Sequence, residues 1–176
     1  MTPGDGDREI EEIRGWFAGR LPRGWFEGPP RVEVDREEIL VVGTLPEPDL
    51  PEGAADAEAW AAREARIQAF REETRARRIA IAQEAERRFR RKVSWGARCG
   101  DVERLFTTLS VPVMTRLRMP ERRVLDTLIE AGVARSRSHA LAWCVRLVAE
   151  RQEEWLQDLR DALVRVQEVR AQGPLP

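Results

Sequence analysis

Histidine is almost missing from this chain: His139 is the only one in 176 residues. With a single imidazole there is no Ser/His or Cys/His pair on which nucleophilic catalysis could be built. No His/Cys cluster has metal-ligand spacing either. Cysteine is scarce. Cys99 and Cys144 are too few for a disulfide scaffold and lack CxxC spacing, so a reducing, cytoplasmic compartment is expected. Apolar runs are short, well under the roughly 18 residues of a membrane span. Residues 1–15 are acidic and carry no apolar core of a secretory leader. No glycine-rich loop that could cradle a phosphate appears. Carboxylate pairs such as Glu37-Glu38 fall in turns or on helix faces, where solvation accounts for them. The expectation is a protein without catalytic centre, cofactor or membrane partner.

What is abundant is charge, and it is unevenly placed. Net charge is −1, with 30 basic and 31 acidic side chains. Residues 1–58 hold 6 basic and 15 acidic side chains, whereas residues 87–123 hold 11 and 3. The basic block starts at Arg87, Arg88, Arg90, Arg91 and Lys92. It would supply the salt-sensitive phosphate attraction of a nucleic-acid binder, or else a solvated helix face.

Along the chain, Ile10, Ile13, Trp16 and Phe17 share one face of a helix over 8–20. Gly and Pro between 21 and 30 predict a loop. Residues 31–45 alternate as a β-hairpin with its turn at Asp35–Glu38. Its second strand is apolar on both faces and wants cover on both. Pro46–Gly53 reads as a stiff linker and a boundary, with Asp49 and Glu52 placed to cap a helix. From there to about Val93 nothing breaks the helical pattern. Trp60, Ile67, Phe70, Thr74, Ile81, Ala85 and Phe89 form a loose coiled-coil-like seam, interrupted by Arg77 or Arg78. Ser94–Gly100 breaks the helix, and Asp101 caps a short one over 102–109.

The last third switches period twice. Val113–Met119 alternates, with Thr115, Leu117 and Met119 on one face and Met114, Arg116 and Arg118 on the other. Pro120 ends that strand and suits a first helical turn. Val124, Leu125, Leu128 and Ile129 then follow a helical period to a C-capping Gly132. A second helix opens at Ser136 and its apolar pattern runs to about Arg170, before a short tail, 172–176. A lone strand leaves its backbone unpaired. Its natural partner is the same strand of a second copy, antiparallel about a two-fold axis. Arg116 and Arg118 would then stand on the exposed face of a ribbon sized for the major groove, where arginine reads guanine O6 and N7.

On the strand-Pro-helix junction, the glycine turn and the Ser136-Arg-Ser-His-Ala-Leu141 start of the second helix, residues 113–150 resemble the ribbon-helix-helix family, which includes the Arc and methionine repressors. The resemblance implies a base-reading set of Met114, Arg116 and Arg118. It also implies a phosphate clamp at the second helix's N-terminus, Ser136, Arg137 and Ser138, with Arg122 alongside. Many members of that family carry an acid where this chain has His139.

These readings combine into a mainly α fold: a ribbon-helix-helix dimer with long helical extensions and a small N-terminal α+β hairpin module. The domains expected are 1–46 (helix plus hairpin), 47–93 (linker and long helix), 94–112 (short helix and connector), 113–150 (DNA-binding domain) and 151–176 (helical extension and tail). The expected activity is that of a cytoplasmic, dimeric, sequence-specific transcriptional regulator on double-stranded DNA. A higher oligomer, and a protein or effector partner at the N-terminal module, are compatible with it. The other classes are a nucleoid-associated architectural protein and an antitoxin-like adaptor.

Overall fold

A computed structural model describes residues 5–51 and 53–172. The capping partner Glu52, the first four residues and the tail beyond Gln172 lie outside that set. The chain forms two compact units, Asp5–Val111 and one that begins at Pro112.

The first unit is a single helical layer on one face of a four-stranded sheet. Helix α1 spans Asp5–Arg20. Strands β1 (Arg31–Val34) and β2 (Glu38–Thr44) form the expected hairpin. Its turn is held by Asp35, whose carboxylate accepts from the backbone N–H of Glu37 and Glu38 at 2.8 and 2.7 Å. Helices α2 (Asp56–Glu73) and α3 (Arg75–Phe89) follow. They return the chain to β3 (Lys92–Cys99), which lies parallel to β2, and β4 (Val102–Leu105) closes the sheet antiparallel to β3. The order is β1-β2-β3-β4.

Side-chain alternation explains the layering. Ile39 and Val41 of β2 stand beside Val93 and Trp95 of β3, and Ala97 and Cys99 continue the row. All six are buried, against Ile13 and Phe17 of α1, Ile81, Ala85 and Phe89 of α3, and Ile67 and Phe70 of α2. β2 is thus a central strand; on its other face Val42 is buried and Leu40 half-buried. Gly43 is required by contact rather than by turn geometry. A Cβ there would fall within 2.2 Å of the Phe26 ring, so the 21–30 loop lies directly on the strand.

Four expectations need correction. The expected ribbon-helix-helix dimer with a small hairpin module does not describe this architecture. Six helices accompany a four-stranded mixed sheet built from residues 31–105, and Val113–Arg118 pairs with no strand. Second, the boundary at 46 is not one. The described residues of 5–46, 47–93 and 94–111 all belong to the same unit. Leu45 is fully buried and its N–H donates to Arg98 O at 2.7 Å. Third, the long helix divides at Thr74, whose hydroxyl donates back to Phe70 O at 2.5 Å, a pattern that bends helices. The seam predicted for a coiled coil packs on the sheet instead, and Trp60 is left half exposed. Fourth, the helix over 102–109 is β4 and an irregular segment. Val102, Arg104 and Phe106 alternate along the helix-covered side, with Arg104 reaching Glu64 of α2 at 2.8 Å.

The second unit holds three helices: α4 (Met119–Glu130), α5 (Arg137–Arg151) and α6 (Glu153–Ala171). Its buried cluster is Leu125, Ala134 and Ala140, with Leu117, Leu128, Ile129, Leu141 and Cys144 packed around it. The single helix read from Ser136 to Arg170 is interrupted at Gln152. Val145, Val148, Trp155, Leu159, Leu163 and Val166 all remain at least 43% exposed.

Candidate nucleic-acid interface

Residues Val113–Arg118 carry no helix or strand. Within that segment Leu117 turns inward to the Leu125 cluster. Met114, by contrast, is 96% exposed. Arg116 and Arg118 are exposed too. Among the described residues neither forms an ion pair. Arg118, in extended conformation, is the N-cap residue of α4, and Pro120 lies in the first turn, where a missing N–H costs nothing. Met119, read as the end of the strand, is already helical.

The turn after α4 forms as its residues dictate. Gly132 adopts φ +75°, and the N–H groups of Gly132 and Val133 return to the carbonyls of Ile129 and Leu128 at 3.0 and 2.9 Å. α5 then starts at a capped end. Ser136 Oγ accepts from His139 N at 3.2 Å, and His139 Nδ1 accepts from Arg135 N at 3.3 Å. His139 thus returns a bond to the N–H of Arg135, one residue before the cap, and not to the Ser136 N–H that an acid would take in a capping box.

Of the remaining predicted contacts, Met114, Arg122, Arg137 and Ser138 come together around a shallow hollow of about 360 Å³ floored by Leu117, Leu125 and Leu141. Arg116 and Arg118 are not part of its lining. Arg122 donates to Leu117 O at 2.8 Å, which fixes its geometry, and its charge also helps to lower the Asp126 pKa. Arg137 is different. It grips Asp126 of α4 through two bonds of 2.8 Å. That hydrogen bonding lowers the Asp126 pKa and raises that of Arg137. Asp126 went unnoticed in the sequence because it is eleven residues away on another helix.

The basic block upstream is mostly spent inside the first unit. Arg88 pairs with Glu12 at 2.8 Å, Arg91 with Glu9 at 2.6 Å and Lys92 with Glu86 at 2.8 Å. The run at 87–92 is therefore the place where an acidic α1 meets α3 and β3.

Fold and site define a two-part protein: a helix-covered mixed sheet followed by a helical unit with an arginine-bearing leading segment. The chain belongs to the Rv1265-like family. Residues 11–105 match the Rv1265-like protein N-terminal domain, and residues 118–170 match the Mb1296 C-terminal domain, so the two matches flank the junction between the units. Similar relatives include Rv1265 of Mycobacterium tuberculosis (strain H37Rv) and Mb1296 of Mycobacterium bovis. Each is 58% identical over 159 residues, 90% of this chain and 69% of the relative. No solved structure matches the chain. Among the described residues no helix is long and apolar enough to cross a membrane.

Proposed function

We propose that the chain is a dimeric, sequence-specific DNA-binding protein that regulates transcription at the nucleoid. One observation carries the reading: Arg116 and Arg118 stand exposed without ion-pair partners among the described residues, next to a methionine that is 96% exposed. Two uncompensated guanidinium groups beside a bare apolar side chain suit base edges, where arginine binds guanine bidentately. Arg122 and the capped N-terminus of α5 lie where backbone phosphates would be held. Arg137 joins them only by exchanging Asp126 for phosphate.

The second unit's economy supports a dimer. Three buried side chains cannot stabilise three helices alone, whereas Val145, Leu159 and Leu163 present apolar surface that a second copy would cover. An adaptor reading, with the acidic N-terminal part holding a partner, has less support. Glu9, Glu12, Glu33 and Glu47 already pair with arginines of their own unit.

Selection of binding sites from genomic fragments, followed by gel shifts, tests the proposal. Arg116→Ala and Arg118→Ala should each cost about 1–3 kcal/mol on the selected site and relax base preference. Unchanged affinity and specificity would remove the site assignment. A selected site bound no more tightly than random duplex at the same salt would move the protein to the architectural class. A single-copy species in sedimentation at micromolar concentration would sink the dimer.

A further inference from the structure

The sheet-bearing unit contains a buried cation with no anion beside it. Arg78, in α3, is 5% exposed. Its Nε donates to Thr74 Oγ1 at 3.0 Å and its Nη2 to Arg71 O at 2.6 Å. The guanidinium lies 4.7 Å from the Phe106 ring centroid. None of these partners carries negative charge, and no carboxylate among the described residues forms an ion pair with it. Burial, with Arg71 and Arg75 nearby, pulls the Arg78 pKa down to about 10. A buried charge is ordinarily paired, because an unpaired one leaves its desolvation cost unmet.

Arg78 also lines a cavity of about 320 Å³ between α3, β3 and Thr107, at the small end of ligand sites. Trp95 lines the same cavity. It is 3% exposed, and its indole Nε1 has no hydrogen-bond partner. A buried donor left unpaired is rare enough to need an explanation. Here the residue with the orphan donor and the residue with the unpaired guanidinium line one cavity, and both groups would be satisfied by an anionic oxygen. The remaining wall is mixed, with Ile79, Ala82 and Val93 apolar and Gln83, Glu86 and Thr107 polar. Glu86, on the lining, puts negative charge close by even though Lys92 pairs with it at 2.8 Å. That charge disfavours a multiply charged ligand.

We propose that this cavity binds a small organic monocarboxylate with an apolar body, its oxygens meeting Arg78 and Trp95 and its carbon skeleton lying against Ile79, Ala82 and Val93. The site lies wholly within the first unit, so it stands independently of the DNA-binding reading. No bond is made or broken; the carboxylate acts as an effector or a structural ligand.

The test follows the Trp95 indole N–H resonance in the ¹⁵N-labelled full chain, assigned by Trp95→Phe, during titration with butyrate, benzoate, inorganic phosphate and chloride. Butyrate or benzoate should shift the resonance saturably, and chloride should not. Arg78→Met should weaken that binding about tenfold or more, the scale of a lost charged hydrogen bond. If Arg78→Met fails to fold, Ile79→Trp decides. It fills the cavity from a position already 46% exposed, so it should abolish the shift and leave the fold intact. Absence of a saturable shift with either carboxylate would overturn the proposal. So would shifts that persist unchanged in Ile79→Trp, or phosphate or chloride binding at least as tightly as the carboxylates.

Discussion

The two units hold their helices in opposite ways. In the first, the helices rest on a sheet whose inward side chains are nearly inaccessible. Phe17, Ile13, Ile39, Val41 and Cys99 are each 0% exposed. In the second, no described side chain of α6 belongs to the buried cluster, and Trp155, Leu159, Leu163, Val164, Val166 and Val169 are exposed. The sheet supplies a surface broad enough to bury one face of every helix of its unit. Three helices with a short leading segment have no such surface, and in the proposed dimer a second copy supplies it. On that proposal, stability is intrinsic to one chain in the first unit and tied to association in the second.

Core truncations should break this comparison most visibly. Phe17→Ala ought to cost about 3–5 kcal/mol at any protein concentration. Leu125→Ala ought to cost about 2 kcal/mol or more, by an amount that grows as the protein is diluted. Thermal melts at two concentrations a hundredfold apart check both. A concentration-independent Leu125→Ala effect would mean that the second unit stands alone.

A smaller effect is expected at the Asp126–Arg137 pair. Asp126→Asn frees Arg137 and removes a carboxylate of α4 from beside the N-terminus of α5, the end proposed to hold phosphate. DNA affinity at low salt should therefore rise by about three- to tenfold, with a steeper dependence on salt. Fluorescence anisotropy across a salt series measures it, and unaltered binding would show that Arg137 serves only to clip α4 to α5.

The smallest is the part of the acid limb that the Glu9–Arg91 pair of the first unit contributes. Hydrogen bonding from Arg91 holds the Glu9 pKa below the usual 4.5. A carboxylate with a folded pKa below its unfolded one contributes fully above the unfolded value. That contribution is lost as pH falls through the folded one. Stability should thus decline below about pH 4.5, and Glu9→Gln should flatten part of that decline. Chemical denaturation from pH 6 to pH 3 would reveal it. An identical slope in the variant would make the pair a surface ornament.

The same contrast explains what could be read in advance. α1, the β1-β2 hairpin, the Gly132 stop and the Ser136 cap were legible because each is specified by residues a few positions apart. β3 and β4 were not. Val93, Trp95, Ala97 and Cys99 alternate as a strand should, yet they follow an Ala- and Arg-rich helix without a break. Gly96 reads as a breaker, although it is there because a Cβ would lie 2.8 Å from Leu105 and 3.0 Å from Arg104 O. The hairpin turn at Gly100, φ +57°, was taken for a helix start at Asp101. The parallel pairing of β2 with β3 joins strands 47 residues apart, beyond the reach of any local pattern. At the candidate interface Met114, Arg116 and Arg118 are exposed, but so are Thr115 and Met119 of the face expected to turn inward, and only Leu117 follows the alternation. The capture of Arg137 by Asp126 depended on how two helices meet.

Arg63 has a consequence for how this chain can change over time. Its guanidinium holds Glu47 at 2.9 Å and Asp101 at 2.9 Å, and it occupies the space that a side chain at Gly100 would need, with Nε 2.5 Å from such a Cβ. The proline-rich strap after β2 and the tip of the β3-β4 hairpin are therefore latched by one residue of α2. A substitution at any of these four positions alters the fit of the other three. Drift here should proceed in linked steps, and a protease that favours exposed, proline-flanked straps should find this one closed until the latch is removed.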